Sequence, residues 1–126
     1  MSVLVAVTDS PEGDLALSAA AGEAERMGTD LLALNLELVP LDVSALPASV
    51  RPQVLPRTPG LTPSECVLAA LHEHRDRVER LVIGVRRRSP VGKAVLGSLS
   101  QDVLLTADVP VLAVKLPADW PVVTHT

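Results

Sequence analysis

Apolar residues fall in short unbroken runs, and between the runs they switch to helical spacing. "SVLVAVT" (2–8), "DLLALNLEL" (30–38), "RLVIGV" (80–85) and "VPVLAVKL" (109–116) read as strands buried on both faces. After the first run, Ser10 can cap a helix that Pro11 opens. Leu17, Ala20, Ala21, Ala24 and Met27 would share one face of it, and Gly28 would stop it. A second helix is signposted by Thr62 as cap, Pro63 as first residue and Glu65 at the capping-box position, with Val67, Leu68 and Leu71 facing inward. "GSLSQDVLLTA" repeats the start signal, with Ser98 as cap and Gln101 at the box position.

The stretch 39–63 breaks this rhythm. It holds six of the eleven prolines, which rules out a long helix there. "VRPQVLP" can still form a strand, but its prolines confine it to a sheet edge. The order β-α-β-β-α-β-α-β predicts an α/β fold, an open, doubly wound parallel sheet with helices on both faces. Residues 1–117 are expected to form one domain, with 118–126 as a polar tail carrying Trp120 and His125.

Composition narrows the picture. With no Phe or Tyr and one Trp, the core must be built of Val, Leu and Ala. A net charge of -4 argues against general nucleic-acid binding. One cysteine excludes an internal disulfide and agrees with a reducing compartment. The opening run has no basic flank and reads as a strand, not a signal peptide, and no apolar run is long enough for a membrane span. A soluble, cytoplasmic protein is expected.

Ligands of open parallel sheets bind beyond the carboxyl ends of the strands, where strand order reverses. "TDSPEGD" and "GVRRRSPVGKAVLGS" both belong to that edge, and the second runs into a helix start, where free N–H groups favour an anion. Gly92-Lys93 suggests a P-loop, but Arg87 stands where a glycine is needed and Ala94 replaces the Ser/Thr that would hold magnesium. Arg86, Arg87 and Arg88, with Lys93, admit two readings: a solvated loop, or a phosphate clamp of guanidinium forks. His72 and His74 are two apart on a helix and make no metal pair, and Cys66 has no activating neighbour in sequence. Asp9 and Asp14 read first as helix-start charges. No metal-ligand cluster and no Ser/His/Asp set appears, so no familiar enzyme is visible.

These residues resemble the universal stress protein family. The family loop runs glycine, two residues, glycine, nine residues, then Gly-Ser or Gly-Thr. Here Gly84 is followed by two residues, Arg87, nine residues and Gly97-Ser98. "VLVAVTDSPEGDLAL" is similar to the family's opening and "ADVPVLAVK" to its last strand, so the resemblance covers residues 1–38 and 62–116.

The resemblance implies the strand order 3-2-1-4-5, a Rossmann-like sheet of the adenine nucleotide alpha hydrolase-like kind, and a homodimer paired through Val109, Val111, Leu112, Ala113 and Val114. Some members bind ATP. In those, phosphates rest on positions matching Gly84, Gly97, Ser98 and Leu99, with adenine and ribose near Thr8, Asp9, Leu36 and Ile83. The chain departs from that pattern in three ways. Thr8 stands where binders commonly carry aspartate, Arg87 replaces the middle glycine, and the proline-rich link between strands two and three is too short for the usual helix. Val43, Leu46 and Val50, or a partner, would have to cover the sheet there.

The leading expectation is a dimeric stress-response sensor of ATP or AMP with magnesium, using Arg86, Arg87, Arg88 or Lys93 as phosphate contacts. The alternative is a ligand-free adaptor acting through an unknown protein partner. A slow magnesium-dependent hydrolase with Asp9 as base is a third reading.

Overall fold

A computed structural model describes residues 1–86 and 98–116. The elements are β1 (Ser2–Val7), α1 (Pro11–Met27), β2 (Asp30–Asn35), a 3-10 turn (Ala48–Val50), β3 (Gln53–Leu55), α2 (Pro63–Glu73), β4 (Val78–Arg86), α3 (Ser98–Thr106) and β5 (Val111–Leu116). The strands form one parallel sheet in the order β3-β2-β1-β4-β5, as expected. Pro52 and Pro56 bracket β3, a strand of three residues, and it lies at an edge.

Successive side chains of a strand point to opposite faces, so each central strand feeds two cores. Val3, Val5 and Val7 of β1, Leu31 and Ala33 of β2 and Val82 of β4 pack against Ala16, Ala20, Ala21 and Ala24 of α1. The alanines let the helix lie close to the valine-rich face. Leu4 and Ala6, Leu32 and Leu34, and Leu81, Ile83 and Val85 face the other way, onto Cys66, Val67, Ala70 and Leu71 of α2 and Val103 of α3.

The expected caps of α1 and α2 are in place. Ser10 Oγ accepts from Gly13 N at 3.1 Å, and Gly28 closes α1 at φ 68°, a left-handed conformation suited to glycine. Thr62 and Glu65 form a reciprocal capping box at 3.2 and 2.8 Å. Among the described residues no helix is long and apolar enough to cross a membrane.

Several boundaries differ from expectation, each for a local reason. β2 stops at Asn35 and not at 38, because Asn35 Oδ1 accepts from Glu37 N and its Nδ2 donates to the Val39 carbonyl, turning the chain. β1 stops at Val7, since the Thr8 carbonyl is taken by Ser10 N at 2.9 Å. Ser98 is the first residue of α3, not the residue before it. β5 starts at Val111, so Val109 precedes the strand.

β4 starts early, at Val78, and carries a bulge. Ser2 faces Val78 while Val3 faces Arg80, which leaves Glu79 unpaired. Arg80, opposite Val3 and two residues before Val82, shares their face toward α1. There its guanidinium meets Glu23, a carboxylate 4% exposed that also pairs with Arg26 one turn along the helix.

The link between β2 and β3 covers its own part of the sheet. Val50, at the end of the 3-10 turn, is fully buried against the β1–β2 face, and Leu41 and Leu46 pack beside it. Val43 is only half-buried and lies outside that cluster. Leu38 and Val39 remain exposed on the turn that Asn35 holds.

Candidate functional site

The carboxyl ends of β1, β2 and β4 and the start of α3 come together at one edge of the sheet. Leu36 N donates to the Val7 carbonyl at 2.9 Å, which joins the exits of β1 and β2. Thr8 is half-buried, and its Oγ1 lies 2.7 Å from Ser10 Oγ. That hydroxyl is thus engaged in the turn that starts α1. Asp9 beside it is exposed.

Leu36 and Ile83 have core side chains, 5% and 1% exposed, so only their backbone can line a surface site. Ser98 is exposed at the first position of α3, and Leu99 is partly buried against the core. Arg86 ends β4 in register with Leu116. The expected contacts Arg87, Arg88, Lys93 and Gly97 lie outside the described residues.

Gly84 has a structural task. A Cβ built there would overlap the Glu12 carbonyl oxygen, lie 2.6 Å from the carbonyl carbon and touch Glu12 Cβ at 3.1 Å. Gly13 is held as closely, with a built Cβ 2.7 Å from Thr8 Oγ1 and 2.8 Å from Thr8 N. The first turn of α1 therefore sits down on β4 and on the β1 exit at two glycines. The missing side chain of Gly84 makes room for the chain itself.

Burial, with Asp9 and Asp14 nearby, raises the Glu37 carboxyl above the usual carboxylate range. The β1–β2 side of this edge is acidic.

Arg57 stands just beyond Glu37's neighbour. It comes from the segment after β3, is half-buried, and its Nη1 donates to the Leu36 carbonyl at 3.3 Å. Neither Glu37 nor Arg57 was expected at the site. Nothing local in the sequence marks Arg57, whose bond to Leu36 spans 21 residues.

Among the described residues no three His, Cys, Asp or Glu side chains gather to hold a metal ion. Arg75 lies beside His72, and Glu73 lies 3.8 Å from His74. Cys66 is buried, with Sγ near the Thr58 carbonyl at 3.7 Å. A cleft of about 210 Å³ lies between the ends of α2 and α3, lined by Leu71, His72, Arg75 and Val109. It sits beneath the amino ends of the strands, away from the edge described above.

The sheet order, the helices on both faces and the strand-exit edge define a doubly wound, Rossmann-like α/β domain. A model of the universal stress protein family matches residues 68–115. A universal stress protein of Mycolicibacterium smegmatis is 34% identical over an alignment of 132 positions, covering 90% of this chain and 96% of that protein. A universal stress protein structure from Archaeoglobus fulgidus superposes with a TM-score of 0.70 at 25% identity, covering 91% of this chain and 98% of the other. UspA from Lactobacillus plantarum gives the same TM-score at 17% identity, covering 90% and 97%. The chain belongs to the universal stress protein family.

Proposed function

We propose that this protein is a dimeric sensor of adenine nucleotides that binds its ligand across the exits of β1, β2 and β4, with phosphates toward the start of α3. The observation that carries this reading is the convergence at one edge of the Thr8–Asp9 turn, the Leu36 backbone and the exposed Ser98 at the first turn of a helix. A related fold supports it: a universal stress protein from Archaeoglobus fulgidus, 20% identical with a TM-score of 0.62, is known in complex with dAMP. Carboxylates at Asp9, Asp14 and Glu37 disfavour phosphate on the β1–β2 side, which orients the phosphates toward β4 and the base toward β2.

Thermal unfolding of nucleotide-stripped protein, with AMP or ATP and with or without magnesium, tests this. Ligand at about 100 times its dissociation constant adds about 2.7 kcal/mol, which appears as a rise of several degrees. A flat response to both nucleotides at millimolar concentration would sink the reading. It would favour the ligand-free adaptor, whose supporting observation is the Thr8 hydroxyl already engaged by Ser10.

The dimer is proposed on the state of β5. It pairs with β4 on one side only, and Leu112 is 37% exposed while Val111, Ala113 and Val114 are half-buried. A free edge of that composition invites pairing with another copy. Light scattering should then give twice the 13.2 kDa chain mass, and Leu112→Lys should shift it toward the monomer. A monomeric parent protein at tens of micromolar would contradict the proposal.

A further inference from the structure

We infer that Arg57 is a ligand-contacting residue on the base side of this edge, acting as a specificity residue for the nucleoside; the inference rests on the nucleotide-site reading above.

Arg57 follows two residues after the last pair of the β2–β3 ladder, Leu34 opposite Leu55. Its guanidinium, not its backbone, meets the Leu36 carbonyl. This bond crosses 21 residues and holds the fork over the exit of β2.

A guanidinium carries five N–H donors in one plane. One is used on Leu36, and among the described residues no carboxylate lies within ion-pair distance of Arg57. Every other described arginine that forms an ion pair does so with Glu23 or Asp30, at the opposite end of the sheet. The acids of the ligand edge act on one another instead: Asp9 and Asp14 act on Glu37. Arg57 is thus a fixed, half-buried cation with donors to spare, one strand beyond Leu36, or about 5 Å in sheet spacing.

With phosphates at the start of α3 beside β4, the Arg57 fork over the β2 exit is two strands away, roughly 10 Å. That is too far for the same phosphates and suits the other end of the ligand. A purine offers ring-nitrogen acceptors to such a fork and a flat face on which it can stack.

The rival role is a fastener that ties the segment after β3 to β2, and the two can be separated. Adenosine, AMP and inorganic pyrophosphate are titrated calorimetrically into the parent protein, Arg57→Gln and Arg57→Lys, with the melting temperature of each recorded. Lysine keeps a donor for the Leu36 carbonyl while removing the planar fork, so it guards against loss of the segment. Both variants should weaken adenosine and AMP by the same factor, about tenfold, the worth of a charge-assisted hydrogen bond, and leave pyrophosphate unchanged. Unchanged adenosine and AMP affinity alongside a lowered melting temperature would make Arg57 a fastener and overturn the inference. A loss confined to AMP and pyrophosphate would make it a phosphate contact and overturn it equally. If the parent protein binds none of the three, the nucleotide-site reading itself fails, and this inference falls with it.

Discussion

Gly84→Ala is expected to destabilise the protein by about 3 kcal/mol, the upper part of the range for forcing atoms into a packed site, and to lower the melting temperature by on the order of 10 °C. The added methyl would meet the Glu12 carbonyl group, which is backbone and has no rotamer to adopt. Relief requires the first turn of α1 to lift from β4, and that turn is itself pinned by Gly13 against Thr8. Gly22→Ala is the internal contrast. Nothing lies within 4 Å of its added methyl, and it sits in the middle of α1. Removing a helix-interior glycine should stabilise by roughly 0.5–1 kcal/mol. Differential scanning calorimetry on the two variants checks both signs, and a Gly84→Ala protein that melts with its parent would show that α1 does not rest on β4 as described. The result also governs how binding data are read. A Gly84 variant that fails to bind nucleotide will have lost the seat of α1, so it cannot be taken as evidence of a phosphate contact.

Glu23→Ala should cost about 3 kcal/mol, because it removes the partner of a partly buried arginine and leaves the cation beside the α1–sheet core. Glu23 is 4% exposed, whereas the Arg80 and Arg26 side chains are 35% and 72% exposed. The low end of the range for broken buried pairs is therefore appropriate, and Arg26 can turn to water without loss. Replacing both Glu23 and Arg80 with methionine should recover most of that stability, since apolar side chains of similar volume often match a buried pair. Urea denaturation of Glu23→Met, Arg80→Met and the variant carrying both closes the cycle, with Glu23→Ala measured beside them. Equal stability of Glu23→Ala and the parent would mean that the pair is solvated and holds nothing.

The parts of the fold that follow from neighbours in sequence were legible before the structure. Ser10, Gly28, Thr62 and Glu65 act within one helical turn of where they stand, so their residue types suffice. The placement of β3 at an edge follows equally from prolines, which cannot donate to a ladder on both sides. The strand order came from the family resemblance to the glycine loop, and the sheet agrees with it. What was not legible depends on contacts across the fold. Glu23 and Arg80 are 57 residues apart, and their meeting depends on how α1 lies over the Val3 and Val82 face of the sheet. The closeness of Gly84 to Glu12 is a property of how a helix lies on a sheet. At the candidate site, the family pattern names Thr8, Leu36 and Ser98, but the burial of the Leu36 side chain, the acidic setting of Glu37 and the reach of Arg57 required the packed chain.

The two borders of the sheet are unlike. On one, β3 offers three residues between two prolines, with little backbone to receive a newcomer. On the other, β5 runs for six residues with half-exposed aliphatic side chains. A sheet open on both borders could add copies indefinitely and grow into a ribbon. This one has a single long free border, so under the proposed dimer two molecules that meet there would leave nothing for a third to join.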